Sequence, residues 1–168
     1  MEKKRLVIYP GSFDPFTIGH LNILEKAEAI FGQENVWIAI GINPKKIGNY
    51  EILEQDFEEF LKETKESKKK TIKTQLPSKN VTGYIGFLTD YVFEKEKEGF
   101  DVVVIRGLRN GYDLDYEYNQ TRFMWDMKPD LKIVYIPCDP IFAHVSSTAY
   151  RELEKVKPGS GHQYLAKI

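Results

Sequence analysis

Four short runs of wholly apolar residues constrain this chain more than any other feature. They are Leu6-Val7-Ile8-Tyr9, Val36-Trp37-Ile38-Ala39-Ile40, Val102-Val103-Val104-Ile105 and Ile133-Val134-Tyr135-Ile136. A strand with one wet face alternates apolar and polar residues, whereas a strand buried on both faces reads as an unbroken apolar run. Between the first two runs, Ile23, Leu24, Ala27, Ile30 and Phe31 recur at one-face helical spacing, and Gly32 closes the pattern. Strand, helix and strand in that order predict a βαβ unit and a parallel sheet. A weaker strand is expected within 81–87. Leu53, Phe57, Phe60 and Leu61 predict a further helix after a loop from Gly41 to Tyr50. Phe87, Leu88, Tyr91 and Val92 predict another, ended by Gly99. A polar, aromatic helix is expected over about 113–127, stopped near Pro129, and a last short one carries Leu153 and Val156 before Pro158-Gly159. The stretch Lys62 to Lys73 is dominated by Lys and Glu and reads as a solvated helix end and loop. The expected fold class is α/β, a doubly wound parallel sheet of about five strands in one domain spanning 1–168, without internal repeats.

Composition narrows the function classes. At 168 residues the chain is long enough to bury a core without staples. Twenty-four Lys and Arg balance 25 Asp and Glu, which argues against bulk nucleic-acid binding but leaves room for a local anion site. Cys138 is the one cysteine, so an intramolecular disulfide and a Cys-rich metal site are excluded, and the residue reads as a small buried hydrophobe. The basic start Met1-Glu2-Lys3-Lys4-Arg5 meets too few apolar residues to form a signal segment. No apolar run approaches the ~20 residues that span a bilayer. The expected address is cytoplasmic, with neither membrane nor nucleic acid as partner.

In a parallel sheet of this kind, ligands bind beyond the carboxyl ends of the strands. The unusual residues of this chain fall there. The first strand runs into Pro10-Gly11-Ser12-Phe13-Asp14-Pro15-Phe16-Thr17-Ile18-Gly19-His20, and the second into Asn43-Pro44-Lys45-Lys46. The Val102–Ile105 strand runs into Arg106-Gly107-Leu108-Arg109, and the last strand leads to Val145-Ser146-Ser147-Thr148 and Arg151. So many cations on one rim point to an anionic, phosphorylated ligand. Gly11 reads as a place where backbone approaches that ligand closely. Gly19 and His20 fall in the first turn of a helix, where N–H groups and the dipole favour phosphate, and His20 can donate to a phosphoryl oxygen. Neither Gly-x-x-x-x-Gly-Lys-Ser/Thr nor Gly-x-Gly-x-x-Gly occurs, so a P-loop and a dinucleotide fingerprint are both absent. No Ser-His-Asp arrangement or reactive Cys suggests a covalent intermediate.

Ser12-Phe13-Asp14-Pro15 followed by Thr17-Ile18-Gly19-His20 resembles the T/H-x-G-H signature of the nucleotidylyltransferase superfamily. Arg106-Gly107-Leu108-Arg109, with Asp113 and Tyr116-Glu117, resembles the phosphopantetheine adenylyltransferase family, and Val145-Ser146-Ser147-Thr148 is similar to its Ile-Ser-Ser-Ser/Thr motif. The resemblance runs from residue 6 to about 155. It implies a Rossmann-like nucleotidylyltransferase fold. It also implies transfer of the adenylyl group of ATP to 4′-phosphopantetheine, giving dephospho-coenzyme A and pyrophosphate in coenzyme A biosynthesis. The attack would be direct and in line, so the site needs positioning and charge neutralisation rather than a nucleophile.

Carried over from the resemblance, His20, Lys46 and Arg106 are the catalytic set. Ser12, Phe13, His20, Gly107, Leu108, Arg109 and Glu117 would contact ATP. The segment Phe142, Ala143, His144, Val145, Ser146, Ser147 and Thr148 would cradle the nucleotide. Ser12, Lys46, Leu88 and Arg106 would bind the acceptor, with Lys45 as the alternative to Lys46. Mg²⁺ would arrive with ATP, with no metal site on the protein itself. A homo-oligomer, hexameric by resemblance, and dephospho-coenzyme A or coenzyme A as product or feedback ligand are further expectations. Other branches of the superfamily, acting on nicotinamide mononucleotide or glycerol phosphate, and a catalytically silent nucleotide binder remain the alternatives. Ser146 to Thr148 also suit a helix cap. His144 and His162, as lone histidines, are expected to do no catalysis. Tyr112, Tyr116, Tyr118, Phe123 and Trp125 crowd one helix, and core or subunit packing is preferred for them over base stacking.

Overall fold

The computed structural model describes residues 2–47 and 54–167. Leu53 of the expected second helix, and the end of the loop expected to reach Tyr50, lie outside the described residues. Each apolar run forms a strand, and the weak 81–87 segment forms a fifth. The elements run β1 (Lys4–Gly11), α1 (Ile18–Phe31), β2 (Val36–Ile42), α2 (Glu54–Gln75), β3 (Asn80–Ile85), α3 (Leu88–Lys97), β4 (Phe100–Leu108), α4 (Gly111–Met127), β5 (Lys132–Pro137) and α5 (Ser147–Val156). The sheet order is β3-β2-β1-β4-β5, and every pairing is parallel. This is the Rossmann-like, doubly wound α/β arrangement.

The apolar runs are explained by two cores. Val7, Tyr9, Ile38, Ile40, Val103 and Ile105 point to one face and pack with Ile23, Leu24 and Ala27 of α1 and Leu61 and Ile72 of α2. Leu6, Ile8, Ala39, Val102 and Val104 point to the other and pack with Leu88, Tyr91 and Val92 of α3. Alternate residues of one strand therefore serve opposite cores, so no position within these apolar runs is left for a polar side chain.

The stretch Lys62 to Lys73 departs from its expectation of a helix end and loop. It is the continuous body of α2, which runs on to Gln75. Only Leu61 and Ile72 are buried apolar residues along it, because lysine stems cover part of the sheet instead. The Lys65 stem lies over Gly83, where a Cβ would come within 2.9 Å of its Cγ, and Lys73 Nζ donates to the Lys79 carbonyl at 2.6 Å. The α4 aromatics also divide. Trp125 packs against the second core and donates to the Leu131 carbonyl at 2.9 Å, with Tyr118 edge-on to it. Tyr112 and Phe123 are 86% and 66% exposed, so packing within the chain does not account for them. Among the described residues, no helix is long and apolar enough to cross a membrane.

Candidate active site

The register of the two central strands opens the site. β1 and β4 pair from Lys4↔Phe100 to Ile8↔Val104. Beyond that point β1 stays with β2 as far as Gly11↔Ile40, while β4 stays with β5 as far as Leu108↔Pro137. The strands part where the connections run to opposite sides of the sheet, which is where such folds hold ligands. A cleft of about 340 Å³ lies there, large enough for a small-molecule ligand. Its walls are the β1–α1 turn, the end of β4, the start of α4 and the start of α5.

His20 is fixed by a reciprocal cap. Thr17 caps α1, its hydroxyl accepting from the His20 N–H at 3.4 Å, while His20 Nδ1 accepts from the Thr17 N–H at 3.0 Å. Because Nδ1 accepts, the neutral ring carries its proton on Nε2. The rings of Tyr9, Phe13 and Phe16 surround it at centroid distances of 6.5, 5.1 and 5.3 Å. Burial in this aromatic cage, with Arg109 nearby, pushes the His20 pKa down to about 4. At neutral pH the residue is an uncharged hydrogen-bond donor at the first turn of α1.

Two arginines face it from the end of β4, each held by a carboxylate of α4. Arg106 Nε meets Glu117 Oε2 at 2.6 Å. Arg109 forms a two-pronged pair with Asp113, Nε to Oδ2 at 3.0 Å and Nη2 to Oδ1 at 3.1 Å. The Arg109 backbone N–H also donates to Asp113 Oδ2 at 2.8 Å. Burial alone would raise the Asp113 pKa, but the side-chain and backbone bonds from Arg109 outweigh it and hold the group below the usual carboxylate range. Asn110 caps α4 by accepting from the Asp113 N–H at 3.1 Å. Cys138 lies in the cleft wall as a buried free thiol, and burial pushes its pKa up, so it is held as S–H.

The start of α5 forms the fourth wall. Ser146 caps this helix, its Oγ accepting from the Ala149 N–H at 3.0 Å, and Ser147 Oγ donates to the Pro15 carbonyl at 2.8 Å. The N-termini of α1 and α5 thus meet at one cleft, an arrangement that favours a polyanion. Chemically, the cleft offers fixed N–H donors, one neutral imidazole donor and two guanidinium groups. Cys138 stays protonated and the hydroxyls of Ser146 and Ser147 are bonded to the backbone, so none of these three is an activated nucleophile.

Most of the expected site residues meet in this cleft. Ser12, Phe13, His20, Arg106, Gly107, Leu108, Arg109, Glu117, Val145, Ser146 and Ser147 all line it. Phe142 instead packs against the first core, His144 faces Tyr164 edge-on in a separate small pocket, and Thr148 is exposed and accepts from Arg151 Nη2 at 3.3 Å. Ala143 is half-buried outside the lining. Leu88 starts α3, buried in the second core. Lys45 and Lys46 stand exposed in a short 3-10 turn, Pro44–Lys46, just past β2. Both sites therefore lie on the same sheet edge as the cleft, on its β2–β3 side. Gly11 lines the cleft as well, and a Cβ there would come within 2.8 Å of the Phe13 ring, so the glycine also accommodates that ring. Phe13 itself sits at a φ of 45°, in the left-handed region. Sequence reading missed Tyr9, Ile23 and Cys138 as lining residues and the anchoring part played by Asp113. Asp113 had a visible signal, its four-residue spacing from Arg109, whereas the other three had none.

Comparison with known proteins agrees with this geometry. The family model described as cytidylyltransferase-like matches residues 8–153. The chain is 30% identical over 150 residues to the phosphopantetheine adenylyltransferase of Tolumonas auensis, covering 89% of this chain and 82% of that one. It is 32% identical over 146 residues to the phosphopantetheine adenylyltransferase of Shouchella clausii, covering 87% of this chain and 82% of that one.

Proposed function

The chain belongs to the cytidylyltransferase-like family, among the phosphopantetheine adenylyltransferases, and we propose that it transfers the adenylyl group of ATP to 4′-phosphopantetheine, releasing pyrophosphate and dephospho-coenzyme A. The observation that carries this reading is the neutral His20 donor facing Arg106 and Arg109 across the cleft where β1 and β4 part. A phosphate oxygen of the acceptor attacks the α-phosphorus, a new P–O bond forms, and the bond to the bridging oxygen of pyrophosphate breaks. His20 Nε2–H donates to a non-bridging α-phosphate oxygen as charge builds there. Because the ring is neutral, it gives this bond without titrating in the physiological range. Arg106 binds the acceptor phosphate, Arg109 and the start of α5 bind the ATP phosphates, and Glu117 and Asp113 hold the two guanidinium groups ready.

Lys46 and Leu88 lie toward β2 and β3, which suits an acceptor arm extending from the cleft along that side. Magnesium would neutralise phosphate charge. Asp113 and Glu117 are each engaged by an arginine, and the ion is taken to arrive with the nucleotide. A cytoplasmic, hexameric enzyme completes the reading.

The test is pyrophosphate release from ATP and Mg²⁺ with 4′-phosphopantetheine, nicotinamide mononucleotide, glycerol phosphate or no acceptor. Release with phosphopantetheine alone is the expected result. Release with another acceptor moves the chain to a different branch. ATP binding without release under any condition supports a silent binder.

A further inference from the structure

Three consecutive carbonyls in the β1–α1 turn are held from two sides, the first two by α5 and the third by the end of α2 and residue 166. The Asp14 carbonyl accepts from Arg151 Nη1 at 2.5 Å, and the Pro15 carbonyl from Ser147 Oγ at 2.8 Å. The Phe16 carbonyl accepts twice, from the Ala166 N–H at 3.2 Å and from Gln75 Nε2 at 2.9 Å. Gln75 Nε2 also donates to the Ala166 carbonyl at 2.5 Å. Thr17 and Leu165 form an isolated antiparallel bridge. Residues 165–166 thus lie as a strap across the turn, pinned to the last residue of α2. Phe16, Thr17 and Ala166 are wholly buried.

The Phe16 carbonyl and the Thr17 N–H are the two poles of one planar amide. Gln75 and Ala166 hold the carbonyl pole, and the N–H pole donates to His20 Nδ1 at 3.0 Å. Donation to the carbonyl polarises the amide and strengthens its N–H as a donor. That N–H, 3.0 Å from Nδ1, favours an unprotonated Nδ1, with the Thr17 hydroxyl 3.1 Å from the same nitrogen and able to serve either tautomer, and so it biases which atom His20 turns to the cleft. We propose that Gln75 is a positioning residue: its side-chain amide, together with the Ala166 strap, orients the Phe16–Thr17 peptide so that His20 is held as the Nε2–H tautomer. Neither Gln75 nor Ala166 lines the cleft, so both act through Thr17 and His20. The consequence for turnover rests on His20 donating to the α-phosphate; the control of the tautomer does not.

Gln75→Met keeps the length of the side chain and removes both donated bonds. Long-range ¹H–¹⁵N correlation spectra distinguish a protonated ring nitrogen from an unprotonated one. In the unaltered protein His20 shows an unprotonated Nδ1, and Gln75→Met shows a mixture of tautomers. Its kcat falls about five- to tenfold, the size expected from one lost neutral hydrogen bond, while the KM for ATP changes less than about twofold. Ala166→Pro deletes the other donor to the same carbonyl, and Leu165 at φ −73°, ψ 131° accepts a following proline. It shifts the spectrum and kcat in the same direction. An Nδ1–H tautomer in the unaltered protein overturns the proposal. So does a folded Gln75→Met or Ala166→Pro protein whose tautomer and kcat are unchanged, even if its melting temperature drops. Should Gln75→Met not fold, the unaltered spectrum and Ala166→Pro decide. A shifted tautomer in a protein that transfers no adenylyl group would refute the assigned reaction and leave this inference standing.

Discussion

Replacing His20 by Gln removes a titrating group while keeping an acceptor at the third helical position, where Gln can reach back to the Thr17 N–H. The folded-state pKa of about 4 lies below the ordinary histidine value of 6.5. Between those values the unfolded chain binds a proton that the folded chain refuses. The stability contribution is therefore complete above pH 6.5 and is lost as pH falls through the window toward 4. At pH 4.5, protonation favours the unfolded state by about 2.5 kcal/mol, and at pH 7 by about 0.2 kcal/mol. The unaltered protein should thus lose about 2 kcal/mol more than His20→Gln between pH 7 and pH 4.5. Urea unfolding of both proteins across this range measures the difference directly, because carboxylate effects are common to both and cancel. Parallel curves would refute the claim that the aromatic cage and Arg109 keep the ring neutral. A larger loss in His20→Gln than in the unaltered protein would reverse its sign.

Arg106→Ala should weaken acceptor binding more than ATP binding, and equal losses in separate titrations of the two ligands would count against its assignment. Lys79 and Glu28 form an ion pair at 2.6 Å with side chains 9% and 11% exposed. Lys79→Met strands the carboxylate and should cost about 3 kcal/mol in urea unfolding; a change under half a kilocalorie would show the carboxylate rehydrating freely. Gly11→Ala drives a Cβ into the Phe13 ring and should destabilise by about 1–3 kcal/mol. Because Phe13 packs on His20 at 5.1 Å, kcat should fall with it, and an alanine variant of unaltered stability and turnover would sink that account.

The sheet was readable because strands buried on both faces leave no ambiguity of period: Val36 to Ile40 and Val102 to Ile105 could hardly be anything else. β3 gave a weaker signal for the opposite reason. It is an edge strand, all six of its residues are half-buried, and Gly83 lies within it under the Lys65 stem. The second half of α2 was obscured because lysine stems do the covering that apolar residues usually do, and a hydropathy pattern reads a lysine as wet along its whole length. In the cleft, motif spacing carried His20, Arg106 and Arg109 to the right edge. It could not carry the Arg106–Glu117 contact, which depends on α4 folding back over β4, nor the turning of His144 and Phe142 away from the cleft. Gln75 and Ala166 lie 59 and 150 positions from Phe16 along the chain, and only the folded turn brings them together.

The two guanidinium–carboxylate pairs have a kinetic consequence. With Glu117 offsetting Arg106, Asp113 offsetting Arg109 and His20 uncharged, these groups cast little net field into solvent. A polyanion approaching from beyond a Debye length feels only a weak pull from them, so its capture should run at the rate of an unsteered encounter and respond gently to added salt. Selectivity then arises after arrival. A small monoanion gains too little to draw an arginine from its carboxylate, whereas a phosphate chain long enough to span the two helix N-termini can recruit Arg109, leaving Arg106 to the acceptor phosphate. The resting site would in this way ignore the abundant simple anions around it and answer to the extended ones.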